Sequence, residues 1–367
     1  MATIYRATRT QVVSPKISSP KGIAIDTDNG HILVCDYDNH RLVLYDKGFR
    51  EITTQTKMGL DALGSPSGAC YYDGLFYVTD ASRHVLARFR ARDLAYKDRF
   101  GTQNISGGTN STLNTPRDVC TDKANLYIAD AGNNRLMKIT LSNLSYSAQD
   151  SNINGALSNP SGICYHKVGH DEYLFISDTD NNRVLKCDID FTYRLQNNTN
   201  VTAPLHLKVI NDFVHVCHSN EIEVLKVIDL TTQTSLTDSL STPTGIDALE
   251  DSFIVSDTGN NQVEVWRAYQ PRDALAPSST PVFGGKPFRN PFLTFGDSLI
   301  PGSTFNNWVD NINNNYGLGW EEELPADLRM VDGFRFGIDT FGSPWGRRVK
   351  SKWWVEETGV TNTWTEE

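Results

Sequence analysis

A pattern that returns six times at a nearly fixed spacing constrains this chain more than any other feature. An apolar-x-x-Pro element closes on Pro20, Pro66, Pro116, Pro160, Pro204 and Pro243, with intervals of 46, 50, 44, 44 and 39 residues. Three residues beyond each proline stands an apolar side chain: Ile23, Ala69, Val119, Ile163, Leu207 and Ile246. A second block follows in every copy: ILVCD (32–36), FYVTD (76–80), LYIAD (126–130), LFISD (174–178), VHVCH (214–218) and FIVSD (253–257). A tight turn then leads to a third β-rich run, as in DNHRLVLY, GNNRLMKI, DNNRVLKC and GNNQVEVW. A unit of this length that cannot bury its own faces must stack on its neighbours, so the period decides the architecture. Apolar residues occupy both parities of the second and third runs, which predicts strands covered on both faces. Sheets packed face to face around an axis meet that demand.

The same residues carry a family resemblance. Pro20-x-Gly22-Ile23-x-x-Asp26, Val34-x-Asp36 and Asn39-His40-Arg41-Leu42, with parallels in the other five copies, make residues 1–270 similar to the NHL-repeat family. The resemblance implies an all-β, six-bladed β-propeller with four antiparallel strands per blade. Segments between repeats, such as FREITTQT (49–56) and LAYKDRF (94–100), are suited to the outer strand. Repeat 6 is followed instead by Gln270-Pro271, whereas the strand-like TIYRATRTQVV (3–13) belongs to no preceding repeat. The amino end is therefore expected to supply the outer strand of the last blade and remove two free sheet edges.

From Pro271 the period stops. Six of the seven tryptophans lie after residue 300, and Trp308, Trp320, Trp345, Trp353 and Trp354 mark an irregular aromatic-rich extension over 271–367. Many aromatics with few long aliphatics suit packing against another surface, either the chain's own propeller as a cap or a partner at a docking or assembly contact.

Charge excludes some functions. With 34 Lys+Arg against 44 Asp+Glu the chain carries −10, which argues against a general nucleic-acid binder. No apolar run reaches the roughly 18 residues needed to cross a bilayer. The first twenty residues lack the apolar centre of an export signal, so a soluble protein without membrane insertion is expected. Six scattered cysteines without a CxxC pair read as reduced, buried side chains.

Several constellations invite chemistry. The recurring Asp36, Asp80, Asp130, Asp178 and Asp257 stand at the end of the second strand, where a carboxylate accepts hydrogen bonds from turn amides. In repeat 5, Asn211-Asp212 forms a two-residue hairpin turn pairing 210 with 213 and 208 with 215. That register sets His206 opposite Cys217 on the face of His215, a set of zinc-ligand types disturbed by Lys208 among them. Four residues past the proline the six copies read Ala24, Cys70, Cys120, Cys164, Lys208 and Asp247, which predicts an ion pair between the last two near the channel. Arg83, Arg88, Arg90 and Arg92 form a basic run whose alternation suggests a docking patch for an acidic partner. Phe295-Gly-Asp-Ser298-Leu matches a hydrolase nucleophile block, but no histidine follows it to serve as base.

The expected function is a non-enzymatic scaffold for protein–protein contacts, a structural subunit of a large assembly such as a phage or virus particle, with no cofactor. Relatives implied by the resemblance include lactonases, strictosidine-synthase-like proteins and an amidating lyase that hold a metal in the channel. Here the two positions after each proline offer only Asp118 and His206 as ligands. Recognition of RNA or glycan through one propeller face is a third reading.

Overall fold

The computed structural model describes residues 6–13, 16–249 and 252–269, and two short paired strands, Val282–Phe283 and Lys286–Pro287. The chain divides into two units, Met1–Pro271 and Arg272–Glu367. The tryptophans at 308, 320, 345, 353 and 354, and Ser298, lie outside the described residues.

The first unit is a six-bladed β-propeller. Each blade is a four-stranded antiparallel sheet whose inner strand begins at or just after the repeat proline, for example Pro116–Thr121, Asn125–Asp130, Arg135–Thr140 and Ser145–Asp150 in blade 3. The outer strands anticipated near 49–56 and 94–100 are Glu51–Gln55 and Tyr96–Phe100. Blade 6 is completed by Arg6–Val13, which pairs antiparallel with Gln262–Tyr269 through one bulge between Arg9 and Gln11. Ring closure by the amino end thus agrees with the sequence. Burial follows the double parity: all five residues of Ile32–Asp36 are buried, as are all six of Phe213–His218. Among the described residues the only helical turns are three short 3₁₀ segments after Asp130, Asp178 and Asp257.

Two latches repeat around the ring. The first lies within each blade. Asp36, Asp80, Asp130, Asp178 and Asp257, all at most 1% exposed, each accept a 2.7 Å hydrogen bond from the backbone N–H two residues before the proline. In blades 1, 3 and 4 an arginine, Arg41, Arg135 or Arg183, also donates Nε–H to that carboxylate at 2.6–2.7 Å. Gln262 takes this place in blade 6. The repeated aspartates therefore serve the fold, as their position predicts.

The second latch joins blades. His84, Asn134, Asn182, Asn220 and Asn261, at the turn between second and third strands, each accept from the N–H just before the next blade's proline. Asn134, Asn182 and Asn261 hold φ of 50–53°, a left-handed conformation that asparagine tolerates. The last of these bonds, Ser19 N–H to Asn261 Oδ1 at 2.7 Å, joins blade 6 to blade 1.

Candidate binding site in the central channel

The inner strands converge on the propeller axis most closely just after their prolines. A Cβ at Gly22, Gly68, Gly162 or Gly245 would lie under 3 Å from a backbone carbonyl oxygen of the next blade: Ser67, Arg117, Leu205 and Lys21 respectively. Only a residue without a side chain permits that approach, which explains the Pro-x-Gly of four repeats. The channel is therefore tight at this end. Toward the far ends of the inner strands it opens into a cavity of about 590 Å³.

Its walls follow the repeat level by level. Asp118 and His206, which replace the glycine in blades 3 and 5, form the floor. One level up come Cys70, Cys120, Cys164, Lys208 and Asp247, and Tyr71 and Tyr165 stand toward the mouth. The anticipated ion pair is present: Lys208 Nζ lies 2.6 Å from Asp247 Oδ1. Lys208 keeps 38% of its side chain open to the channel. Burial works against its ammonium, but the charge and hydrogen bond of Asp247 outweigh it and hold the group above the usual lysine range.

Both channel carboxylates also stitch blades together. Asp118 accepts from its own strand at Val119 N and from blade 4 at Ile163 N, each at 2.9 Å. Asp247 accepts from Ala248 N at 2.9 Å and from blade 1 at Ile25 N at 2.8 Å. Burial pushes the Asp118 carboxyl up to about 7, despite those two amides. Burial likewise raises the three channel thiols. All six cysteines are free.

The zinc-type set of repeat 5 does not assemble. The register is as expected, with Lys208 opposite His215 and Ile210 opposite Phe213, and Cys217 N–H bonds to His206 O. The side chains diverge. His206 faces the channel floor, His215 packs on Phe253 with ring centroids 5.2 Å apart, and Cys217 is enclosed with Ile222 and Trp266. Burial drives both imidazoles down to about 3.

Among the described residues, one group of three His, Cys, Asp or Glu does bring ligand atoms within 4.8 Å of one another: His218, Glu221 and Glu223. His218 occupies the latch-aspartate position of blade 5, and its Nδ1 accepts from Thr202 N at 3.4 Å, two residues before Pro204. That acceptor role leaves the neutral ring's proton on Nε2, which faces Glu221 Oε1 at 3.5 Å. Glu221 pairs with His218 in the strand register as Arg41 does with Asp36. A metal would need Nε2 bare, so the group is the blade latch rebuilt with a neutral histidine in place of the aspartate and a glutamate in place of the arginine.

The basic run also departs from expectation. Arg88 lies on the third strand of blade 2 and is 7% exposed, so it is not part of an open docking patch. It pairs with Asp98 and donates to Leu141 O of blade 3 at 3.3 Å. Lys138 and Lys186 make the same reach to Ile189 O and Val227 O of their next blades. Arg88 is thus an interblade clamp, and the lysines eight residues after Asp130 and Asp178 were the signal for it. Arg90 and Arg92 share Asp93, while Arg83 bonds Asn104 Oδ1 at 2.9 Å. The three guanidiniums expected on one side of a strand, at 88, 90 and 92, do not form that face: the strand ends at Arg90, Arg88 is buried, and Arg92 lies beyond it.

Comparison with known proteins agrees with the fold. A family model, NHL repeat, matches residues 18–45. No curated protein matches the chain. Among solved structures, a catalytically inactive variant of virginiamycin B lyase from Staphylococcus aureus, solved with quinupristin, gives a TM-score of 0.53 at 13% identity. The selenomethionine-substituted form of that lyase gives 0.50 at 12%. Each alignment covers 72% of this chain and 99% of the other. Matches extend to 1334 solved chains, a fold shared too widely to assign an activity. The chain is thus a six-bladed β-propeller whose repeat, over residues 18–45, is similar to the NHL repeat.

Proposed function

We propose that the propeller is a binding scaffold that receives a polar ligand, or a side chain of a protein partner, through the wide mouth of its channel. One observation carries this reading: the polar groups on the channel wall are already engaged. Asp118 and Asp247 spend oxygens on amides of two blades each, and Lys208 is neutralised by Asp247. Such a wall offers fixed hydrogen-bonding sites in a preformed, half-apolar cavity, which suits recognition. In the fuller form of this proposal, residues 271–367 with Trp308, Trp320, Trp345, Trp353 and Trp354 dock the propeller to other subunits of a large particle, such as a phage or virus.

A second reading, a channel enzyme, has its own support. A carboxyl at about 7, as Asp118 is, matches what a general acid–base group needs near neutral pH. The fold shared with a lyase adds no weight at 13% identity.

The test uses the full chain purified from its own cells. Thr27→Trp, at an exposed mouth position, should lose the partner while keeping the wild-type melting temperature. Lys208→Met, on the ring, should lose it with a lower melting temperature, because Asp247 is left buried without its counter-charge. Retention unchanged in both variants overturns the scaffold reading. Turnover of a channel ligand that Asp118→Asn abolishes without loss of binding replaces it with the enzyme.

A further inference from the structure

The tight end of the channel carries a different chemistry from the cavity. The residues one past each proline are Lys21, Ser67, Arg117, Ser161, Leu205 and Thr244. They sit below the floor, at the same end of six strands that converge on one axis. The hydroxyls there are occupied: Ser67 donates to Arg117 O, Ser161 to Asn159 O and Thr244 to Pro20 O. The two cations are not. Lys21 Nζ rests over the Tyr37 ring, 3.4 Å from its centroid, and among the described residues no carboxylate lies within ion-pair distance of it. Arg117 has a buried Nε without a hydrogen-bond partner.

The two cations repel. After burial, Arg117 is the main cause that brings the Lys21 ammonium down to about 8, with Asp38 opposing weakly. His206, 8% exposed, comes up against the same pair from blade 5, and its ring bonds the Arg117 backbone. Its imidazole therefore walls the cations off from the cavity. Two positive groups from alternate blades, held near the axis without a counter-charge, make a local positive field with unused donors.

We propose that this end of the channel is a binding site for a phosphate group, gripped by the Arg117 guanidinium and the Lys21 ammonium. An arginine fork matches the oxygens of a phosphate, and a lysine adds a compact charge. The site is independent of how the wide mouth is used.

Titration calorimetry on the full-length protein tests this, with inorganic phosphate as the probe and sodium chloride of equal ionic strength as the control. Saturable binding of one phosphate per chain is expected. Arg117→Gln and Lys21→Gln should each weaken it by about tenfold, one charge-assisted hydrogen bond. Lys57→Gln, on an exposed strand away from the channel, should bind as the wild type. Without phosphate, the two site variants should melt no lower than the wild type, because the repulsion is removed. That readout separates loss of the site from loss of the fold. Phenyl phosphate in a parallel titration distinguishes the source. Binding of both probes assigns the site to phosphate carried on a partner or ligand, and binding of inorganic phosphate alone assigns it to the free ion. Heat no greater than the chloride control, or site variants that bind like the wild type, overturns the proposal.

Discussion

The turn latches and the channel ring are built from the same six repeats, yet they differ in what the repeats keep. At the latch, five blades hold the same carboxylate in the same hydrogen bond, and the sixth substitutes a histidine that accepts from the equivalent amide. At the ring, six blades present Ala24, Cys70, Cys120, Cys164, Lys208 and Asp247. A position that every blade needs is answerable to the fold. A position that differs from blade to blade is free to answer to something in the channel.

The comparison breaks most readily at the latch. Asp130 is fully buried and paired with Arg135, whose side chain is 5% exposed. Asp130→Ala leaves that guanidinium buried without its partner and should cost about 3–5 kcal/mol by denaturant unfolding. A loss under about 1 kcal/mol would make the latch decorative. Next in size is the close approach of inner strands. Gly245→Ala drives a methyl into Lys21 O and should cost about 1–3 kcal/mol, whereas Gly48→Ala, on an exposed turn, should cost far less.

Asp118 sharpens the distinction, because it is both a stitch and a channel group. Its folded pKa, about 7, lies above the unfolded value of about 4, so the native state holds the proton more tightly. Between those values the folded protein binds more protons, and stability falls as pH rises, with the loss complete above about 7. Below about 4 both states hold the proton, so the contribution is fully present and the slope vanishes. Asp118→Asn should flatten this slope in unfolding titrations, while giving up one amide clamp because its NH₂ cannot accept. A slope unchanged in the variant would contradict the buried-carboxyl account. The smallest contrast is on blade 2: Arg90→Ala, at a screened surface pair, should leave the unfolding midpoint nearly unchanged, and Arg88→Ala, at the clamp, should lower it.

Much of this is legible in the sequence itself. Prolines at a fixed spacing marked the inner strands, double parity marked the two-sided burial, and the orphan strand near 3–13 marked the closure. Even the Lys208–Asp247 pair followed from equivalent positions in adjacent repeats. What stayed hidden depended on where side chains turn once blades pack. Along its strand Arg88 stands beside other arginines, but its true peers are Lys138 and Lys186 in the next blades. His206, His215 and Cys217 share a register but not a direction, since one meets the channel and two meet apolar neighbours. The approach of Lys21 and Arg117 needs the ring to close before two residues 96 positions apart can repel. The aromatic-rich segment has no repeat to compare with, so its composition was the only guide.

The claim beneath all of this is that the channel is an open cavity walled by the residues that vary between blades. Site-resolved alkylation of the native full-length protein by a small thiol reagent tests it most directly. Cys70, Cys120 and Cys164 line the cavity, whereas Cys35, Cys187 and Cys217 are enclosed between blades at 0% exposure. The account predicts that the first three react well ahead of the other three. Equal rates, or earlier reaction of the enclosed set, would contradict it.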